Sequence, residues 1–199
     1  FLDAQFRMEH TALGYYEETD YALDYTEGIL REPSDTSISA KLNDFFNSAH
    51  NRANDPQGLP MRTDFIQQAL GLTEVLNHQA NSIVDLRESL VGNSTNIASI
   101  TQSRLGMTAE GVNNKLDQLA KINEQIVLYK NSNLEPNDFL DKRDMMLDYL
   151  SKIGNFSFNY EKNGTVNVSL GNNELVSGID VVNKLQLETG NVNDPVNIA

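Results

Sequence analysis

The residues of this sequence best suited to chemistry are three histidines, a series of aspartates and one arginine. His10, His50 and His78 lie far apart, and none has a second histidine or a glutamate at the spacing of a zinc site. Each is therefore interpreted as a surface or helix-face histidine and not as a metal ligand or a base. The chain contains no cysteine, which excludes disulfides, thiolate catalysis and cysteine-type zinc sites.

An acidic series follows a proline near the end of the helical sequence. Its members are Asp138, Asp141, Asp144 and Asp148. The series lacks the loop glycine and the alternating oxygen ligands of a calcium-binding EF-hand, and its spacing is that of a helix. It is therefore interpreted as a solvated helix face. No catalytic, cofactor or metal site is predicted.

Arg143 differs from these aspartates because it lies between Leu140 and Leu147, on the apolar side of the same predicted helix. We expect its stem to pack and its guanidinium to pair with a carboxylate at a helix junction. Arg143 is thus a candidate for a structural salt bridge. Anion binding is the alternative, and the partner interface stays unassigned.

The elements that position these residues are predicted to be long helices. Residues 61–135 contain no proline, and apolar residues recur in this segment every seven positions. That spacing predicts one long helix with a narrow apolar stripe. A bend or a slight break is expected between Gly92 and Gly111, where glycines weaken the helix. The two seven-spaced rows are Leu76, Ile83, Leu90 and Ile97, then Leu105, Val112, Leu119 and Ile126.

Shorter helices are predicted on either side, followed by a β-hairpin. Residues 2–30 form a helix that Pro33 ends, and its wide apolar face suggests two packing neighbours. After Gly154 apolar and polar residues alternate, which predicts a β-hairpin. A three-residue loop, with Gly164 in the left-handed region, brings all the apolar side chains of the hairpin onto one face. Residues 175–176 and 184–187 are expected to be further short strands.

The charge composition argues against two classes of partner. Lys and Arg number 15 against 28 Asp and Glu, a formal charge of −13, which argues against nucleic-acid or anionic-lipid partners. No apolar run in the given residues is long enough to span a bilayer. The predicted fold is mainly α: an elongated bundle of long helices over residues 1–153, then part of a small antiparallel β domain over residues 154–199.

Three stretches together resemble the family of bacterial flagellar hook-associated protein 1. They are FLDAQFR at 1–7 with LGY at 13–15, EPSD at 32–35 followed by Ser39, Leu42, Phe45 and Phe46, and PNDFLDKRD at 136–144. The chain departs from the family pattern at residues 47–50, which lack a tryptophan, and at Phe139 and Lys142, where Leu and Gln are usual. Neither departure changes the helical pattern.

The resemblance implies a non-catalytic structural subunit, outside the cell, that joins flagellar hook to filament without a cofactor. Its implied partners are neighbouring copies of itself, the hook protein, hook-associated protein 3 and an export chaperone that binds regions absent here. The family's terminal coiled-coil segments are also absent, so this chain is expected not to polymerise alone. The alternatives are hook-associated protein 3 or a flagellin-like subunit, a ligand-sensing helical bundle and an enzyme.

Overall fold

The computed structural model describes residues 2–30 and 37–190, and this part of the chain is mainly helical, as predicted. The turn predicted around Pro33 lies outside the described residues. The helices are α1 Leu2–Leu30, α2 Ile38–Asn54, α3 Leu59–Val91, α4 Ile97–Gln102, α5 Arg104–Asn131 and α6 Asn137–Ile153, and the strands are β1 Phe156–Tyr160, β2 Val166–Leu170, β3 Asn173–Ser177 and β4 Asp180–Val181. The strands form one antiparallel sheet in the order β1-β2-β3-β4.

The helix predicted after residue 60 is interrupted, and the interruption lies in the Gly92–Gly111 segment where a bend or slight break was expected. Gly92 adopts a φ of 78°, a left-handed conformation that ends α3. A Cβ atom at Gly92 would overlap the backbone of Ile100, so the chain turns too tightly there for any other residue. Asn96 and Ser103 then cap two new helices by accepting hydrogen bonds from their first-turn amides.

The predicted hairpin is confirmed in its register and its turn. Tyr160 lies opposite Val166, Phe158 opposite Val168 and Phe156 opposite Leu170. Gly164 has a φ of 92°, as the three-residue loop requires.

The last part of the sheet differs from the prediction. Residues 175–176 lie in β3, as expected, but residues 184–187 do not form a strand. Asp180–Val181 is the fourth strand instead. The physical reason is that the backbone of Leu185 is held by a side chain of α5, Asn113, and not by a neighbouring strand.

The structure divides the chain into two compact units, residues 1–19 with 90–199 and residues 20–89. Within the first unit the sheet packs on α5 and α6, and the division at residue 153 stays a prediction. The buried residues of this shared core are Val112, Leu116, Leu119, Leu147, Leu150, Phe156, Val166, Val168, Leu175 and Val176.

The second unit is held together mainly by partly buried side chains of α2 and α3. The rings of Phe45 and Phe65 lie 5.2 Å apart, and the guanidinium of Arg52 lies 5.2 Å from the Phe65 ring. On the inner side of α3, Gln79 and Leu86 are buried, and the amide of Gln79 donates to the carbonyl of Leu30 at 3.3 Å.

Candidate functional site

Arg143 lies at the junction of α6 with the β1–β2 hairpin. Its side chain is 10% exposed, and its Nε and Nη2 donate to Asp144 Oδ1 at 3.2 and 3.0 Å. Its Nη1 donates to the carbonyl oxygen of Gly164 in the hairpin turn at 3.1 Å. The guanidinium also lies 5.0 Å from the centre of the Tyr160 ring, within cation–π range. One side chain thus contacts its own helix, the turn and the first strand.

Arg7, which the sequence analysis did not single out, joins α1 to the same junction. Its Nε donates to Asp148 Oδ1 at 2.9 Å and its Nη1 to the Tyr160 hydroxyl at 2.7 Å. Burial alone would lower the pKa of Arg7, but the hydrogen bonds that Arg7 donates to Tyr160 and Asp148 outweigh it and raise the pKa above its ordinary value. Arg7 is therefore a permanently charged connector between helix and sheet.

The acidic series is only partly the solvated face that was predicted. Asp138 and Asp141 are exposed, but Asp144 and Asp148 are half-buried and face the two arginines. Asp144 Oδ1 lies 3.6 Å from the guanidinium of Arg7 in addition to its contact with Arg143. The helix periodicity placed these aspartates correctly on α6 but could not show that another helix covers two of them.

The buried face of α1 is polar and small, not apolar. The hydroxyl of Thr11 donates to the carbonyl of Ser151 at 2.7 Å. One turn further, Gly14 lies so close to the carbonyl oxygen of Lys152 that a Cβ atom would overlap it. Arg7, Thr11 and Gly14 are spaced by four and three residues, which aligns them on one side of the helix. The wide apolar face predicted for α1 is largely exposed, with Leu2 at 78% and Leu13 at 46%.

Two exposed ion pairs continue this contact along α1. Lys152 Nζ lies 2.7 Å from Glu17 Oε2, and Arg104 makes a two-bond contact with Glu18 at 2.7 and 2.8 Å. The hydrogen bond from Arg104 lowers the pKa of Glu18, with burial opposing the shift. Because both partners are exposed to solvent, these pairs contribute little to stability.

Two asparagines of α5 hold the β segment by its backbone. Asn123 is fully buried; its Nδ2 donates to the carbonyls of Val166 and Gly178 at 2.9 and 2.6 Å, and its Oδ1 accepts from the Val166 amide at 3.3 Å. Asn113 makes the same two-way contact with Leu185, at 2.9 and 2.8 Å. Each side chain therefore replaces a missing neighbouring strand.

A groove of about 920 Å³ lies beside this junction, within the first unit. Its walls come from α1, α6 and β1 and include Tyr15, Tyr16, Phe158 and both junction arginines. Because these arginines are paired with aspartates, the groove presents aromatic and backbone groups more than free charge.

The three histidines are not gathered at this junction. His10 packs on Phe6 of α1, with ring centres 4.3 Å apart, while His50 and His78 belong to the second unit. Among residues 2–30 and 37–190, no cluster of three acidic or histidine side chains has the geometry to hold a metal ion. In the same part of the chain, no helix combines the length and apolar content needed to cross a bilayer.

The comparisons with known proteins agree on one family. The chain is 29% identical over 197 residues to flagellar hook-associated protein 1 of Bacillus subtilis, covering 99% of this chain and 36% of that protein. It is also 29% identical over 148 residues to the Salmonella typhimurium protein of that name, covering 73% of this chain and 25% of that protein. The chain thus spans about a third or less of these relatives.

A solved structure has the same fold. The flagellar hook junction protein FlgK of Burkholderia pseudomallei superimposes with a TM-score of 0.66 at 21% identity, over 92% of this chain and 30% of that one. The family model for the helical domain of flagellar hook-associated protein FlgK matches residues 23–199. Because that match covers most of the sequence, the chain belongs to the FlgK family of flagellar hook-associated proteins.

Proposed function

We propose that this chain is the helical part of a structural, non-catalytic subunit that joins hook to filament in the extracellular flagellum. The observation that carries the proposal is a pair of apolar residues on α3, Leu76 and Ile83, which the described part of their unit leaves about half exposed. Leu76 is 46% exposed and Ile83 is 47% exposed.

These two residues border the side of α3 that stabilises the chain's own fold. The buried Gln79 and Leu86 of that side lie three residues after Leu76 and Ile83, which are seven residues apart, the spacing of a helix–helix seam. Exposed apolar residues beside a buried row mark an interaction surface. We infer that neighbouring copies pack laterally against it, as expected of subunits in a tubular assembly.

The remaining partners follow from the family and not from a contact in this chain. We propose hook protein on one side of the junction, hook-associated protein 3 on the other, and an export chaperone that binds outside residues 1–199. We also propose that the β segment from residue 154 onward opens a larger, outward-facing β domain. The described sheet has four strands and ends in the two-residue β4, so it is small for an independent β domain and would be completed by further strands.

Within this function, Arg143 and Arg7 are proposed to have a structural role. Together they fix α1, α6 and the hairpin to one another, so that a load on one element is carried by the others. Replacing Arg143 by Met keeps most of the stem packing but removes the contacts to Asp144 and Gly164. We expect this variant to lose about 1–3 kcal/mol of stability in urea unfolding, the usual value of hydrogen bonds to a charged group.

The matched control is Arg62→Met on α3, because Arg62 is exposed and forms no ion pair with any residue that the structure describes. The control variant should unfold within about 0.5 kcal/mol of the parent. Equal stability of the two variants would remove the structural role assigned to Arg143.

The proposed function is tested by deletion of the complete gene in its own organism. The expected cells have hooks without filaments and release flagellin into the medium, and a plasmid copy restores filaments. Cells that grow normal filaments after the deletion would disprove the junction role.

A further inference from the structure

The turn between β1 and β2 contains the one Asn-Gly pair of the sequence, Asn163–Gly164. This dipeptide is prone to spontaneous deamidation, because glycine has no side chain to keep its backbone nitrogen away from the asparagine carboxamide. Asn163 is exposed, so water reaches it. The turn also favours glycine at the second position, since Gly164 has a φ of 92°. The fold therefore places a chemically reactive pair at this turn.

Deamidation at this pair needs no reactant other than water. The Gly164 nitrogen loses its proton to hydroxide and attacks Cγ of Asn163. The bond from Cγ to Nδ2 then breaks, and ammonia leaves with a proton taken from water. Water opens the resulting succinimide ring to aspartate or isoaspartate. The reaction thus requires a free Gly164 amide and a carboxamide that can rotate until its Cγ faces that nitrogen.

Three hydrogen bonds of the turn oppose these two requirements. The Gly164 amide donates to the Glu161 carbonyl at 2.9 Å, so the attacking nitrogen is already engaged. Oδ1 of Asn163 accepts from the amide and the hydroxyl of Thr165, at 3.0 and 2.8 Å, which fixes the direction of the carboxamide. Thr165 is itself fully buried. On the far side of the pair, Arg143 Nη1 donates to the Gly164 carbonyl at 3.1 Å.

We propose that Asn163 is a deamidation site that the folded turn keeps unreactive, and that Thr165 is the residue that restrains its carboxamide. The reaction then proceeds only in chains whose hairpin is open. The isoaspartate product adds one methylene group to the main chain inside the turn. That addition is incompatible with the register in which Tyr160 lies opposite Val166. A chain that reacts before it folds therefore loses this hairpin, whereas a folded chain keeps it.

The first experiment compares the folded 199-residue chain with a capped peptide of residues 161–166, EKNGTV, at mildly alkaline pH. Chromatography with peptide mass spectrometry measures asparagine, aspartate and isoaspartate at position 163. One hydrogen bond slows local opening about 5-fold, so three bonds should make the folded chain react about 100-fold more slowly than the peptide. Equal rates in the chain and the peptide would overturn the proposal.

Variants of Thr165 separate the restraint from general stability. Thr165→Val keeps the shape of the side chain but removes the hydroxyl donor, and it should deamidate about 5-fold faster than the parent. Thr165→Ser keeps the hydroxyl and loses a buried methyl group, so its rate should stay close to that of the parent. A rate in Thr165→Ser equal to or above that in Thr165→Val would mean that lost packing controls the reaction. A slower reaction in Thr165→Val would mean that the hydroxyl promotes the attack, and either result overturns the proposal.

The matched control lies in the loop after α3, where Asn93 accepts from the amide and the hydroxyl of Thr95 at 3.1 and 2.8 Å. Thr95→Val removes the same kind of hydrogen bond at a distant turn and should leave the rate at Asn163 unchanged. Circular dichroism checks that each variant is folded. An equal increase at Asn163 in Thr95→Val and Thr165→Val would refute the role assigned to Thr165.

Discussion

Replacing Asn123 by alanine should be among the most destabilising single changes in the first unit. The substitution removes hydrogen bonds to the Val166 amide and carbonyl and to the Gly178 carbonyl. Both Asn123 and Val166 are fully buried, so water cannot replace the lost partner. An ordinary hydrogen bond contributes about 1 kcal/mol, and a buried group left without a partner costs about 1–3 kcal/mol. The expected loss is therefore about 3–5 kcal/mol.

The matched control is Asn114→Ala, which changes the same residue type on the exposed side of the same helix. It should alter the free energy of unfolding by less than about 0.5 kcal/mol. Asn113→Ala should fall between the two, because Asn113 holds Leu185 by two bonds at a half-buried position.

Urea unfolding followed by circular dichroism measures the three variants, and amide exchange at Val166 reports the site directly. The Val166 amide should exchange faster in Asn123→Ala and be unchanged in Asn114→Ala. If Asn123→Ala and Asn114→Ala unfold at the same urea concentration, side-chain pairing with the β backbone is not what fixes the sheet to α5.

Two further predictions concern α1. Gly14→Ala should destabilise the chain by about 1–3 kcal/mol, because the added methyl group overlaps the Lys152 carbonyl. The control Gly71→Ala, at an open position of α3, should stabilise the chain by up to about 1 kcal/mol. Thermal unfolding measures both variants, and equal shifts in their melting temperatures would refute the close contact at Gly14. The lowered pKa of Glu18 means that its ion pair with Arg104 stabilises the fold above the unfolded-state pKa, about 4.5, and that this contribution is lost as the pH falls through the folded pKa. Because Glu18 is exposed, Glu18→Gln should cost well under 1 kcal/mol at neutral pH and nothing at pH 2, and a constant cost across this range would contradict the assignment.

Much of the fold could be predicted from local patterns. The hairpin register followed from the alternation of Phe156, Phe158 and Tyr160 with a glycine in the loop, because slipping the pairing by one residue would move the apolar side chains to opposite faces. The end of α3 at Gly92 followed from helix propensity. Such features depend on residues close together in the chain.

Periodicity alone could not show which apolar row packs against other residues of the same chain. The row of Val112, Leu119 and Ile126 is fully buried, whereas Leu76 and Ile83, with the same spacing, are about half exposed. Seven-residue spacing specifies a seam but not whether its partner belongs to the same chain.

The junction itself was missed because its residues are polar or small. Arg7, Thr11 and Gly14 have no hydrophobic signal, although their spacing marks one helix face. A usable signal did exist for Asn123, which lies four residues after Leu119 and three before Ile126 and is therefore in phase with the buried row. A polar residue at such a position needs a buried partner.

The central claim, that Leu76 and Ile83 of α3 contact neighbouring copies, can be tested with single cysteines, since the chain has none of its own. The Leu76→Cys variant of the complete protein should react with a maleimide when free and be protected in isolated flagella. Asn81→Cys, an exposed position on another side of α3, measures general access of the reagent. Equal labelling of Leu76→Cys in the free and assembled states would contradict the claim.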